Sequence, residues 1–179
     1  STDGHRLAHV ESCTDLPGVT GPYRALLPRK AMGEIVKLTQ EAGPEALVKF
    51  AGDENHLFFQ FGDRLLISRK LTGTFPDYER VLPKDQKHVI TLKREEIRSA
   101  VERVAQFADE RSKAIRMHLR PGEVTVHSSV SDTGESEESV SAEYDGAPIE
   151  ISFNAQYLLD FLRVVVQDDV QFCFKDPHS

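Results

Sequence analysis

The side chains best suited to chemistry stand together in Thr2-Asp3-Gly4-His5-Arg6, which sets a carboxylate, an imidazole and a guanidinium around a glycine. Such a cluster could ligate a metal, move a proton or grip an anion. Arg6 to Val10 alternates like a strand, where residues four apart on one face are separated by about 13 Å, too far for His5 and His9 to share an ion. The seven histidines show no ligand spacing, no Gly-x-Ser-x-Gly elbow occurs, and neither cysteine has a neighbouring base. The expectation is therefore no metal, no cofactor and no catalytic residue. The competing reading is an anion-binding or hydrolytic α+β enzyme using Asp3, His5 and Arg6.

A second constellation is basic. Arg29-Lys30 and Lys93-Arg94 each open a helical pattern, where the helix dipole already carries about half a positive charge and disfavours cations. An arriving anion would reverse that penalty, because free N–H groups and basic side chains would meet it together. Lys37, Arg98 and Arg103 extend the basic character along the same helices, interspersed with Glu34 and Glu102. The alternative is a solvated face with pairs such as Lys30 to Glu34 and Arg98 to Glu102. No aromatic residues interleave with these cations, so any nucleic acid would be held by its backbone, without sequence choice and with steep salt dependence.

The elements that must carry these residues repeat. Tyr23–Leu27 reads as a strand, Pro28 opens a helix to about Gln40, and strands follow at Ala46–Phe50, His56–Phe61 and Leu65–Arg69. The order returns as strand Val89–Leu92, helix Lys93 to about Ala108, and strands Ala114–Leu119 and Val124–Ser128. It starts a third time with strand Ile149–Phe153, a helix capped by Asn154, and strand Val170–Lys175. Pro76 and Pro83 mark a junction whose Phe75, Tyr78, Val81 and Leu82 are apolar enough to pack on a neighbour.

Over 179 residues, 39% hydrophobic and 28% charged content suits a soluble protein of one or two domains. No apolar run reaches membrane-spanning length, so a cytoplasmic location is expected. Cys13 and Cys173 are too far apart in sequence to suggest a framework and read as reduced, half-buried thiols. The net charge of −7 excludes a binder that is basic all over, but much of the acid lies between Asp132 and Asp145, leaving room for a local basic face.

Thr2-Asp3-Gly4-His5-Arg6-Leu7-Ala8, Leu27-Pro28-Arg29-Lys30, Phe75 through Pro83, and Phe153-Asn154-Ala155-Gln156-Tyr157-Leu158-Leu159-Asp160 together resemble the bacterial DNA polymerase III β subunit family, the β sliding clamps. The resemblance covers essentially the whole chain and implies an α+β clamp fold of repeated strand-helix-meander units with helices on one face of antiparallel sheets. It implies part of a middle domain over 1–83 and most of a C-terminal domain over 84–179. The first domain, the start of the middle one and the C-terminal tail would then lie outside the sequence. It further implies a homodimeric ring around duplex DNA, in the bacterial cytoplasm at the nucleoid, that tethers DNA polymerase and the clamp loader through clamp-binding peptides.

Residue by residue, the family's peptide pocket maps to Thr2, Gly4, His5, Arg6, Leu7, Pro76, Arg80, Val81, Asn154 and Tyr157, and part of it would come from the tail. Arg29, Lys30, Lys37, Lys93, Arg94, Arg98 and Arg103 become candidates to face DNA. Gln106, Phe107, Asp132, Glu135, Glu137 and Glu138 become candidates for the subunit interface. Charge along an edge strand would also block wrong pairing.

Overall fold

A computed structural model describes residues 1–82, 86–130 and 134–176. The chain forms two compact units, one of His9–Asp77 and one that joins Ser1–Ala8 to Tyr78–Ser179.

In the first unit, helix α1 (Arg29–Ala42) follows Pro28, whose fixed φ suits a helix entrance, and stops at Gly43, which takes φ +85°. Strands β1 (Val48–Gly52), β2 (His56–Phe61) and β3 (Arg64–Arg69) form an antiparallel meander with β2 in the centre. The first turn is made by Asp53, whose Oδ1 accepts the N–H groups of Asn55 and His56 at 2.8 and 2.6 Å. Tyr23–Leu27 is not a strand. It forms no regular element, and Leu26 accepts one bond from the Leu71 N–H at 2.9 Å. Ala31, Leu57 and Phe61 are buried, whereas Leu65 and Ile67 remain 59% and 55% exposed. The meander therefore carries apolar side chains that its own helix does not cover.

The second unit has a six-stranded antiparallel sheet made of β4 (His88–Lys93), β5 (Ala114–Arg120), β6 (Glu123–Val130), β7 (Gly134–Glu143), β8 (Ile149–Asn154) and β9 (Asp169–Phe174). Their order across the sheet is β8-β5-β6-β7-β4-β9. Along β5, Ile115, Met117 and Leu119 turn inward while Arg116 and Arg120 face out, which is the period of two expected of a sheet with one covered face. Helices α2 (Arg94–Val104) and α3 (Ala155–Val164) cover that face and contact each other. Ile97, Ala100, Val101 and Val104 of α2 are fully buried at helical spacing, as is Leu162 of α3, and Leu159 is buried beside it. Each large apolar side chain so buried contributes about 1.5–3 kcal/mol. Truncating Ile97 to Ala costs about 2–5 kcal/mol once the cavity is included.

The helix read as reaching Ala108 tightens into a 3-10 turn over Ala105–Phe107. The acidic segment after Asp132 is strand β7, and it lies inside the sheet order. It pairs with β6 over eight residue pairs but with β4 only at Thr91↔Glu143 and Leu92↔Ala142, so most of its far side is still an edge. Val81 and Leu82 do not pack away as expected: Val81 is 69% exposed. Cys13 and Cys173 are exposed free thiols, not half-buried ones. Among the described residues no helix is long and apolar enough to cross a membrane.

Candidate functional site

Residues 1–8 form a closed turn, not the strand entrance that alternation suggested. Thr2 and Leu7 make a single antiparallel bridge, and the Ala8 N–H donates to the Ser1 carbonyl at 2.7 Å. Three local devices build it. Asp3 Oδ1 accepts the His5 and Arg6 N–H groups at 3.1 and 3.0 Å. Thr2 Oγ1 donates to the Arg6 carbonyl at 2.7 Å and accepts the Gly4 N–H at 3.1 Å. Gly4 takes φ +89°, a conformation that a side chain at this position would strain.

The turn aims Arg6 at α3. Its Nη1 donates to Asp160 Oδ2 at 2.6 Å, its Nε to Asp3 Oδ2 at 3.2 Å, and its guanidinium carbon lies 4.5 Å from the centre of the Tyr157 ring. Charged hydrogen bonding and a cation over an aromatic face thus act on one group. Asp160 also accepts Gln156 Nε2 at 2.7 Å. The Arg6 bond, then the Gln156 bond, holds the Asp160 carboxyl below its ordinary range, and the Asp160 bond raises the Arg6 guanidinium. The His5 and Arg6 backbone N–H groups lower the Asp3 carboxyl.

Tyr157 is placed by its helix cap. Asn154 Oδ1 accepts the Gln156 and Tyr157 N–H groups at 2.9 and 3.4 Å, and its Nδ2 donates to the Ser112 carbonyl at 3.0 Å. Thr2, His5 and Arg80 are exposed and Leu7 is half-buried. Arg80 ends a short 3-10 turn over Tyr78–Arg80, with Val81 next, while Pro76 belongs to the other unit. Structure thus brings Arg6 to Tyr157, 151 positions apart in the sequence, within one unit.

The arrangement is a poor hydrolytic centre. Asp3 spends both oxygens on the turn and on Arg6, and Arg6 is already engaged by two carboxylates, which opposes capture of a further anion. Among the described residues no cluster of three or more His, Cys, Asp or Glu could hold a metal.

The basic residues divide. Arg29 and Lys30 are exposed at the start of α1, with no ion pair among the described residues. Lys37 pairs with Glu34 at 2.8 Å, where the sequence had suggested Lys30 to Glu34. Lys93 pairs with Asp169 at 2.6 Å, and Arg94 with Glu95 at 2.7 Å and the Gln167 carbonyl at 2.9 Å. Arg98 reaches Glu95 at 2.7 Å, not Glu102, which instead takes Arg163 at 3.3 Å.

Of the candidate interface residues, Gln106 bonds its own helix at the Glu102 carbonyl, and the Phe107 carbonyl accepts Ser128 Oγ at 3.2 Å. Glu135 and Glu137 are exposed on β7, Glu138 bonds Arg103, and Asp132 lies outside the described residues. Sequence reading missed Asp160 as the partner of Arg6 and Gln156 as the partner of Asp160. Their helical spacing of four was the available signal, but it says nothing about an arginine so distant in the chain.

A family model described as DNA polymerase III beta subunit, central domain, matches residues 1–77, and one described as DNA polymerase III beta subunit, C-terminal domain, matches residues 79–179. The beta sliding clamp of Caulobacter vibrioides strain NA1000 is 36% identical over 179 residues, covering all of this chain and 47% of that protein. The chain thus spans about half the length of such relatives. A crystal structure of the Pseudomonas aeruginosa DNA polymerase sliding clamp superposes with a TM-score of 0.82 at 32% identity, over 88% of this chain and 43% of that one. A second structure of a Pseudomonas aeruginosa clamp, bound to griselimycin, gives a TM-score of 0.80 at 33% identity over 87% and 42%. With its two halves matching adjacent domains of one subunit in order, the chain belongs to the DNA polymerase III β subunit family, the β sliding clamps.

Proposed function

We propose that this chain is part of a non-catalytic processivity factor for DNA replication, which as a homodimeric ring encircles duplex DNA in the bacterial cytoplasm. It tethers DNA polymerase, repair proteins and the clamp loader through short peptides. On this reading 1–83 belongs to the middle domain and 84–179 to the C-terminal domain. The peptide site draws on Thr2, Gly4, His5, Arg6, Leu7, Pro76, Arg80, Val81, Asn154 and Tyr157. The observation that carries the reading is the contact of Arg6 with Tyr157 and Asp160, which joins two motifs that sequence alone left at opposite ends of the chain.

The DNA-facing set is Arg29, Lys30, Lys37, Lys93, Arg94, Arg98 and Arg103, with Arg29 and Lys30 foremost because no carboxylate among the described residues pairs with them. Backbone attraction without base contacts suits a ring that slides. Glu135, Glu137 and Glu138 on the open side of β7, with Gln106 and Phe107, are assigned to the subunit interface.

Fluorescence anisotropy with a labelled linear clamp-binding peptide tests the pocket. The unsubstituted chain is expected to bind, griselimycin to compete, and Arg80→Ala, Pro76→Ala and Tyr157→Ala each to weaken binding. Affinity indifferent to all three substitutions would sink the assignment.

A further inference from the structure

Arg6 is held from three sides, by Asp3 at Nε, by Asp160 at Nη1 and by the face of Tyr157. Asp160 is itself fixed, because one oxygen takes Arg6 and the other takes Gln156 one helical turn back, so rotating the carboxylate breaks a bond. A free surface arginine has many rotamers, and ordering it when a ligand arrives subtracts from affinity. Here that ordering is already made. Of the guanidinium's five N–H donors, Nε–H and one at Nη1 are used, and Nη2 has no hydrogen-bond partner among the described residues.

We propose that Asp160, backed by Gln156, and Asp3 are positioning residues that pre-set Arg6 on the face of Tyr157, so that its remaining donors meet an oxygen acceptor of a docked peptide. The proposal rests on the peptide-pocket reading above. Asp3, Gln156 and Asp160 lie outside the positions matched to the pocket, yet they decide where Arg6 points. Asp160 does so across 154 positions of sequence and Asp3 across three.

Isothermal titration of griselimycin into the unsubstituted protein and into Asp160→Ala, Asp160→Asn, Arg6→Ala and the Arg6→Ala/Asp160→Ala double variant tests this. Asp160→Ala is expected to weaken binding about three- to tenfold, the cost of ordering one long side chain on binding. Asp160→Asn, which keeps an oxygen for Arg6, restores most of that loss. In the Arg6→Ala background Asp160→Ala adds nothing further.

A parallel readout is the Arg6 Nε–H resonance, resolved in the unsubstituted protein and averaged in Asp160→Ala. An unchanged affinity in Asp160→Ala, or the same loss with Arg6 already removed, overturns the positioning role. Failure of the unsubstituted protein to bind griselimycin overturns the pocket together with it. Binding that is lost in Tyr157→Ala but indifferent to Asp160→Ala overturns the positioning role alone.

Discussion

Arg103 and Glu138 meet as a two-point pair, Nε to Oε1 at 2.7 Å and Nη2 to Oε2 at 3.0 Å, which joins helix α2 to strand β7. One was a candidate for the DNA face and the other for the subunit interface. Each now sets the other's charge: the Glu138 bond raises the Arg103 guanidinium, and the Arg103 bond lowers the Glu138 carboxyl. Arg103 is 57% exposed, so solvent screening leaves the pair little weight in stability. Its effect is on which cations remain free.

That ranking gives the first prediction. In the full-length protein, Arg29→Glu with Lys30→Glu is expected to reduce DNA retention and flatten its dependence on salt, because each lost phosphate contact lowers the slope by about one. Arg103→Ala should do so much less, since Glu138 already neutralises it. Retention measured against salt concentration checks both, and equal effects would refute the ranking.

Acid sensitivity follows from the sign of two shifts. Asp3 and Asp160 bind protons more weakly folded than unfolded, where the ordinary value is 3.8, so acid protonates the unfolded chain first and stability falls. The hold on Arg6 is expected to be complete above about pH 5 and lost only below the ordinary carboxylate range. Following the Arg6 Nε–H resonance from neutral pH downward tests this, and loss near neutrality would contradict it.

Gly146 has no room for a side chain. An added Cβ would sit 2.4–2.7 Å from the ring and hydroxyl of Tyr144, which is buried and donates to the Ala147 carbonyl at 2.7 Å. Gly146→Ala is expected to destabilise the chain by about 1–3 kcal/mol, the range for overpacking a filled site. Tyr144→Phe should cost about 1 kcal/mol through the lost hydrogen bond. Urea melts of the two variants decide.

Asn154→Ala removes the cap of α3 and the bond to Ser112, and should cost about 1 kcal/mol or somewhat more. Asn154→Asp keeps the acceptor for the Gln156 and Tyr157 N–H groups and should recover most of that loss in a thermal melt.

Local rules served well where one element decides its own shape. Pro28 before α1, Asn154 before α3, the Asp53 turn and the alternation of Ile115, Met117 and Leu119 all appear as the residue types require. They failed where a short segment's pattern competes with its own polar side chains. Arg6 to Val10 alternates, yet Thr2 and Asp3 spend their oxygens closing a turn, and the strand does not form. Tyr23–Leu27 has strand-like residues, but among the described residues its backbone bonding is the single bond that Leu26 accepts from Leu71.

By itself the sequence determined the family through its motifs, and the α+β class and most of the order of strands and helices through capping, turn chemistry and periodicity, which act over a few residues. Tertiary structure alone decided which charges cancel and which remain. Lys93 met Asp169, Arg103 met Glu138, and Arg6 met Asp160 through distances of 76, 35 and 154 positions. Coulombic and hydrogen-bonding partners are chosen by proximity in space, and for these residues only the packing of α2, α3, β7 and β9 creates that proximity.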